Sequence, residues 1–183
     1  MDKFANNEKL KISLLIFIVI RAILLLLNIV FNMYILVFNI NQSPINFILN
    51  TAIIITTLIL INGNLDKGSK YFINFIAFAF MILSLFVVIL LNEEIRYFYF
   101  NVPNTSKTLI VEENLDFMTG SSKFYQRKGL IFAKYLNASI YTDDRYRPFS
   151  NNHFKLIWLA ENNLELHYDF GEGGYKKTLI KLD

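Results

Sequence analysis

The chain has 183 residues, of which 54% are hydrophobic and 18% charged, and its formal net charge is +3. The charged fraction lies below the about 25% that is usual for soluble domains. The excess positive charge falls within residues 1–91, which are also the apolar half. The position of this positive charge therefore indicates the orientation of membrane spans and not a nucleic-acid-binding surface. The absence of cysteine excludes disulfides and Cys-ligated zinc.

Residues 12–40 form a long apolar run whose main polar breaks are Arg21, Asn28, Asn32 and Asn39. Their spacings of seven, four and seven place all four on one face of an α-helix. The run exceeds the about 7–15 residues of a signal-peptide core, and no small-residue cleavage site follows it. It predicts a retained membrane helix with a polar seam that faces neighbouring helices or a partner protein.

Two further uncharged runs predict membrane spans at about residues 45–62 and 71–92. The connecting segments are short and contain Pro44, Gly63 and Gly68, which are typical of turns between helices. Short connections make neighbouring helices antiparallel. Residues 1–104 are therefore predicted to form a three-span transmembrane region.

Basic residues in the flanks of the spans predict their orientation. Lys3, Lys9 and Lys11 precede the first span, and Lys67 and Lys70 lie in the second connection, whereas the first connection has no basic residue. The N-terminus is therefore predicted to be cytoplasmic. The C-terminal domain, which follows the third span, is predicted to lie outside the cytoplasmic membrane.

Arg21 has two predicted placements in the bilayer. If the second half of the run crosses, Arg21 lies near the cytoplasmic interface and extends its side chain into it. If the helix tilts, Arg21 lies deeper and needs a polar partner, for which the candidates are Asn50, Thr57, Asn74 and Ser84. Because no Asp or Glu lies within any span, the interfacial placement is favoured.

Aromatic residues flank the third span on both sides. Such residues are typical of membrane interfaces, where an amphipathic ring reaches both lipid and water. The predicted interface anchors are Tyr71, Phe72, Tyr97, Phe98, Tyr99 and Phe100.

Residues 105–183 change to short alternating runs that are rich in Thr, Tyr, Ile and Phe and are separated by turn signals. They predict a small antiparallel β-meander domain outside the cytoplasm, so the predicted fold class is membrane α+β. The predicted strands are 107–113, 123–127, 130–136, 153–160, 164–170 and 175–182.

The hairpin around Asn162 and Asn163 has a predicted register. A two-residue turn there pairs Leu159 with Leu166. This register puts Leu159 on the core face and leaves Trp158 half-covered on the opposite face.

The last hairpin has two open registers. A four-residue loop pairs Leu179 with Leu166, whereas a glycine bulge puts Ile180 and Leu182 on that face instead.

Residues 141–152 are predicted to form a long irregular loop, and loops of this kind often carry binding residues. Its charged residues are Asp143, Asp144, Arg145 and Arg147. They predict either a recognition loop or a solvated turn with internal Asp–Arg pairs.

The sequence contains no arrangement typical of catalysis, metal binding or cofactor binding. His153 and His167 fall on opposite faces in the predicted register and lack a carboxylate cluster for metal or acid–base chemistry. No serine lies in a Gly-x-Ser-x-Gly motif, and no glycine-rich phosphate loop follows a strand. No catalytic residue, cofactor or metal is therefore predicted.

Together these features predict a small integral protein of the cell membrane with a non-catalytic binding, accessory, sensing or protective role at the envelope. Its predicted partners are the lipid bilayer and either another membrane protein or further copies of itself. One alternative is an oligomeric transport or channel component that uses the seam of Asn28 and Asn32. The other is a membrane enzyme that uses Asp143, Asp144 or His167.

Overall fold

The computed structural model describes residues 2–36, 42–63, 65–92, 95–115, 118–171 and 173–183. This part of the chain holds three helices and eight strands in two compact units. The helical unit comprises Met1–Val30 and Asn41–Asn92, and the β unit comprises Phe31–Ile40 and Glu93–Asp183. The elements in chain order are α1 (Asp2–Phe31), β1 (Met33–Ile35), α2 (Gln42–Asn62), α3 (Lys67–Asn92), β2 (Arg96–Asn101), β3 (Thr108–Leu115), β4 (Gly120–Lys128), β5 (Phe132–Thr142), β6 (Phe154–Ala160), β7 (Asn163–Asp169) and β8 (Tyr175–Lys181).

Each helix contains a segment that is long and apolar enough to cross a membrane, namely Asn7–Phe31, Gln42–Asn62 and Lys67–Ile89. The prediction of three helices of this kind is confirmed. Few side chains in these segments are buried, and large apolar ones such as Ile29 and Phe75 are exposed. Exposed apolar surface on this scale fits a lipid environment, where the helical backbone bonds are satisfied internally.

The start of α3 is set by a side-chain cap. The carboxylate of Asp66 accepts a hydrogen bond of 3.0 Å from the backbone N–H of Ser69, which otherwise has no partner within the helix. The hydrogen bonds from Ser69 lower the pKa of Asp66. The predicted turn between the second and third spans therefore includes a specific helix start.

The end of α1 differs from the predicted span, which continues to residue 40. α1 ends at Phe31 because Asn32 adopts the left-handed backbone conformation (φ 51°), a common way to terminate a helix. The carbonyl of Asn32 accepts a hydrogen bond of 2.9 Å from the backbone N–H of Tyr135. Residues 33–35 then form β1, which pairs antiparallel with β5. Apolar composition does not separate a helix from a strand over so short a segment.

The β unit therefore begins earlier than predicted. Both β1 and β2 precede residue 105, the predicted start of the β domain, and the dividing points of the two units lie near residues 31 and 93. The predicted aromatic anchors from Tyr97 to Phe100 lie within β2, which pairs antiparallel with β3. Consecutive aromatic residues suit a strand as well as a membrane interface.

Two antiparallel sheets make up the β unit. The strand order is β1-β5-β4-β3-β2 in the five-stranded sheet and β6-β7-β8 in the three-stranded sheet. The prediction of antiparallel strands is confirmed, but the strands divide into two sheets joined by residues 143–153. One shared core contains Val111 and Phe124 of the first sheet and Leu164, Leu166 and Ile180 of the second, so the arrangement is a β-sandwich.

An aromatic cluster lies at the centre of this core. Phe149, from the segment between the sheets, is fully buried, and its ring centroid lies 4.6 Å from that of Phe154. Phe98 and Phe100 of β2 and Phe124 of β4 contact the same ring at centroid distances of 5.9, 6.2 and 6.1 Å. The connecting segment thus supplies a large part of the packing between the sheets.

The predicted register of the β6–β7 hairpin is wrong. Leu166 pairs with Leu156 and not with Leu159, and the ladder has an irregularity between Trp158 and Ala160. Trp158 packs against the core, and Leu159 is exposed. β6 carries apolar residues on both faces, so alternation alone does not select the face that enters the core.

The register of the last hairpin is the one in which Ile180 and Leu182 face the core. Both are only 2% exposed, whereas Leu179 is 70% exposed. The turn contains Gly171 and Gly173 at positive φ values of 121° and 73°. Gly171 has the φ that L-residues rarely adopt, and this conformation allows the turn that fixes the register.

Candidate binding surfaces

The three-stranded sheet presents one face to the core and a second, polar face away from it, which we call the outer face. Its side chains form three rows across the strands, as the pairing of the strands and the alternation of side chains require. The rows are Ile157–Glu165–Leu179, Lys155–His167–Lys177 and His153–Asp169–Tyr175.

The outer face is charged at its centre and apolar at its margins. Leu159, Tyr175 and Leu179 are 57%, 71% and 70% exposed. Large exposed side chains beside charged groups are common in protein interfaces, where the apolar area supplies affinity and the charges supply specificity.

Glu165 and His167 are hydrogen-bonded to each other on the central strand β7. Lys177 on the neighbouring strand brings its Nζ to 3.5 Å from the same Glu165 carboxylate. The hydrogen bond from His167, and then the charge of Lys177, lower the pKa of Glu165. Glu165 thus contacts both His167 and Lys177.

A second polar group lies at the other end of the outer face. The Tyr146 hydroxyl is hydrogen-bonded to His153 Nδ1 and lies 3.3 Å from Asp169 Oδ2. The two rings stack with an interplanar angle of 24°. Partial burial, together with the nearby Asp169 carboxylate, raises the pKa of Tyr146.

The prediction that His153 and His167 lie on opposite faces is wrong, since the observed register places both on the outer face.

The predicted recognition loop divides into an exposed turn and a packed segment. Asp144 and Arg145, both at positive φ, form the exposed turn, which is closed by a 2.9 Å bond from Tyr146 N to Asp143 O. Arg147, by contrast, is only 8% exposed. Asp144 and Arg145 are therefore accessible at the surface, whereas Arg147 is buried.

The packed segment is held by Glu113, a fully buried carboxylate on β3. It accepts hydrogen bonds from the backbone N–H groups of Phe149 (2.8 Å) and Ser150 (3.1 Å) and from the Ser150 hydroxyl. These N–H groups open a short helical turn that is closed by a 3.0 Å bond from Asn151 N to Arg147 O. A carboxylate at the N-terminal end of such a turn satisfies donors that have no other partner.

Sequence reasoning missed the role of Glu113. The signal in the sequence is the pair Glu112-Glu113 directly after the apolar residues 109–111 in a predicted strand. Neighbouring strand residues face opposite sides, so one of two adjacent acids in a sandwich strand must face the core. A buried carboxylate needs hydrogen-bond donors, and these come from a segment distant in sequence.

The reverse face of the five-stranded sheet carries a tyrosine cluster. Tyr34 of β1 and Tyr135 of β5 lie against Tyr125 of β4, at centroid distances of 5.8 and 5.4 Å. Tyr97 donates a 3.1 Å hydrogen bond to Glu112, whose pKa is raised by its partial burial. Burial also raises the pKa of Tyr125. β1 is therefore integrated into this face by side-chain contacts as well as by backbone pairing.

The predicted interface anchors lie in two environments. Tyr71 and Phe72, near the start of α3, are 74% and 65% exposed. Phe98 and Phe100 of β2 instead pack against the sandwich core, and the Tyr97 hydroxyl bonds Glu112 on the reverse face. Tyr99 is 44% exposed. Contact of these residues with a membrane interface stays a prediction.

The predicted polar seam is shorter than the spacing suggested. Arg21 and Asn28 lie within α1, but Asn32 follows the helix end, and Asn39 lies outside the described residues. Arg21 Nε donates a 3.1 Å hydrogen bond to Asn50 Oδ1 of α2, one of the partners considered for the deeper placement. α2 and α3 are joined by a 3.1 Å bond from Asn62 to Asn74.

A groove of about 360 Å³ lies between α2 and α3 in the helical unit. Its walls are mainly apolar, and Ser43, Asn46 and Asn50 add polar groups along one face of α2. Asn46 Oδ1 is buried there and has no hydrogen-bond partner among the described residues. Within the same described ranges, no group of three or more His, Asp or Glu side chains is arranged to hold a metal ion.

Comparison of the chain with models of known protein families, with curated proteins and with solved structures gave no match.

Proposed function

We propose that the chain is an integral membrane protein that displays its β unit outside the cytoplasm and acts by binding, as an accessory, sensing or protective protein of the cell envelope. The observation that carries the binding role is the outer face, where His167 contacts Glu165 and His153 contacts Asp169 beside exposed apolar side chains. Preformed polar contacts reduce the entropy lost when a partner binds. The ligand is a macromolecular surface in this proposal, because the outer face is a sheet surface and not a cleft.

The distribution of basic residues supports the proposed orientation, with the N-terminus in the cytoplasm. The pairing of β1 with β5 supports a further feature of the proposed topology, the number of crossings between β1 and the rest of the β unit, and it fits either orientation. β1 follows α1 and the rest of the β unit follows α3, so both segments lie on the same side of a membrane that all three helices cross. This agrees with an up-down-up arrangement.

The transport alternative depended on Asn28 and Asn32 sharing a helical face. Asn32 lies after the end of α1, and its backbone is used to join the β unit. The enzyme alternative required a partner for Asp143, Asp144 or His167. His167 has such a partner in Glu165, but the pair lies on a sheet face beside exposed apolar side chains, and Asp144 lies in an exposed turn. The binding role therefore has the better support.

The orientation can be tested with single cysteines, because the natural chain has none. We expect a membrane-impermeant maleimide to label Asp144→Cys in intact cells. Lys67→Cys, in the second connection, should be labelled only after the membrane is permeabilised. Labelling of Lys67→Cys alone in intact cells would reverse the orientation and contradict the envelope role.

The binding surface can be tested by placing a photo-crosslinking amino acid at Leu179, on the outer face. Leu130 provides a matched control, since it is also a leucine and is 85% exposed, but it lies in the β4–β5 turn. We expect a discrete crosslinked product from position 179 in intact cells, and its loss when Lys155 and Lys177 are both changed to Glu. Equal products from both positions, or none from position 179, would contradict binding by the outer face.

A further inference from the structure

The early end of α1 changes the position of Arg21 within the apolar segment. The run now extends from Ile12 to Phe31, and Arg21 lies nine residues after its start and ten before its end. At about 1.5 Å per residue, Arg21 is about 14–15 Å from each end. A bilayer core is about 30 Å thick, so a crossing α1 places Arg21 near the midplane.

At this depth, the Arg21 guanidinium group needs an oppositely charged partner in addition to its hydrogen bond with Asn50. A guanidinium keeps its charge in proteins. Its hydrogen-bond partner among the described residues, Asn50, is a neutral amide and leaves that charge uncompensated. Arg21 is partly exposed, so the charge is accessible from outside the helical unit. Burying an unpaired charge is costly, and intramembrane charges are generally paired.

The chain itself cannot supply a carboxylate within the membrane. No Asp or Glu occurs between Glu8 and Asp66 or within Lys67–Asn92. A second copy has the same sequence and therefore lacks an acid in its spans as well. Charge complementarity thus requires a different molecule.

The depth of Arg21 also selects the kind of molecule. Side chains near a helix end reach the headgroups by extending toward the interface. From the middle of the span, each interface is nearly three helical turns away, at about 3.6 residues per turn. Lipid phosphates lie at those interfaces and are similarly distant. A carboxylate carried by another transmembrane helix reaches the midplane directly.

The adjacent groove offers a place for such a helix to pack. Asn50 both bonds Arg21 and lines the groove between α2 and α3. Small and polar residues such as Ser43 and Ser84 allow close approach of another helix. Asn46 Oδ1, which has no hydrogen-bond partner in the part of the chain that the structure describes, is available to a donor from the incoming helix.

We propose that Arg21, Asn50 and the adjacent groove form a docking site for a transmembrane helix of a different protein that carries an Asp or Glu near the bilayer midplane. This inference rests on the proposed membrane crossing, which the cysteine-labelling experiment tests separately. It specifies that the membrane partner is a different protein and not another copy of this chain. It also specifies the chemistry by which that partner is recognised.

The test uses the full chain in lipid bilayers and synthetic transmembrane peptides as the probes. The peptides share one Leu/Ala sequence and differ only at the central residue, which is Asp, Asn or Leu. Energy transfer between a dye on Asp144→Cys and a dye on the peptide reports association. We expect the Asp peptide to bind about tenfold more tightly than the Leu peptide, which is a modest pairing energy for a desolvated charge.

Variants of the chain separate charge pairing from general helix packing. Arg21→Leu should abolish the preference for the Asp peptide, whereas Arg21→Lys should retain part of it. Asn28→Leu, which changes another polar residue in the apolar part of α1, is the matched control and should leave the preference unchanged. The unfolding transition of Trp158 in the β unit should be the same in all variants, which checks that the chain remains folded.

Three results would overturn the inference. The first is equal binding of the Asp and Leu peptides to the natural chain, and the second is an undiminished Asp preference in Arg21→Leu. The third is an enrichment of anionic lipid around the chain that depends on Arg21 and that the Asp peptide does not displace. This result would show that a lipid phosphate, and not a carboxylate, pairs with the Arg21 guanidinium. If labelling shows that the helices cross and any of these results is obtained, the docking inference fails while the proposed function stands.

Discussion

Replacing Glu113 by alanine is expected to destabilise the β unit strongly. The Glu113 carboxylate is fully buried and joins β3 to the segment that carries Phe149 into the core. Alanine would remove the acceptor of the Phe149 and Ser150 backbone N–H groups and of the Ser150 hydroxyl. The loss would therefore affect both hydrogen bonding and the position of the central aromatic ring.

The size of the effect follows from these contacts. A buried donor that loses its acceptor costs about 1–3 kcal/mol. The Phe149 N–H is buried, whereas Ser150 is partly exposed and water can replace part of its bonding. We therefore expect the free energy of unfolding to fall by about 2–4 kcal/mol, out of the roughly 5–15 kcal/mol typical of a domain. For a domain of this size the Tm falls by about 10–25 °C.

Trp158 provides the assay. It is the only tryptophan of the chain and packs against the sandwich core, so its fluorescence in detergent-solubilised full-length protein reports unfolding of the β unit. Glu113→Gln keeps one acceptor oxygen and should lose about half as much stability. Glu161→Ala changes an exposed glutamate and is the control. A Tm for Glu113→Ala within about 2 °C of that control would refute the reasoning, because it would mean that the buried bonds contribute little net stability.

Three further predictions concern the β unit and use the same fluorescence assay. Gly120→Ala should destabilise it by about 1–3 kcal/mol, because a Cβ at that position would lie 2.1 Å from the backbone oxygen of Tyr146. Gly174→Ala, where a Cβ meets nothing within 4 Å, is its control, and equal effects of the two would contradict the close approach. Phe149→Ala should cost about 3–5 kcal/mol, whereas Leu130→Ala, at an 85% exposed position, should change stability by less than about 0.5 kcal/mol. The third concerns pH: burial raises the pKa of Glu112 above the ordinary value of 4.5, so the folded state binds a proton more tightly than the unfolded state. The stability from this proton is complete below about pH 4.5 and is lost as the pH rises through the raised pKa. The stability of Glu112→Gln relative to the natural chain should therefore rise across that pH range. A stability difference between the two that does not vary with pH would show that the pKa of Glu112 is the same in the folded and unfolded states.

The three long apolar helices and the separate strands illustrate what the amino-acid sequence determined by itself. Long apolar runs predicted three helices of membrane-crossing length, because composition over about 20 residues is enough to recognise them. Short alternating runs with turn residues predicted the antiparallel strands of the C-terminal half, since strand periodicity and turn chemistry are local properties. The observed helices and strands agree with these predictions in kind and, for most elements, in position.

The tertiary structure decided where the two units divide and which side chains face each other. Residues 33–35 are as apolar as the helix before them, and they become a strand because β5 offers an open edge for pairing. Apolar residues cover both faces of β6, so the core, and not alternation, selects Leu156 over Leu159 as the partner of Leu166. Glu113 and its donors lie more than 30 residues apart. Register and the burial of a carboxylate both depend on contacts between segments distant in sequence, which local patterns do not encode.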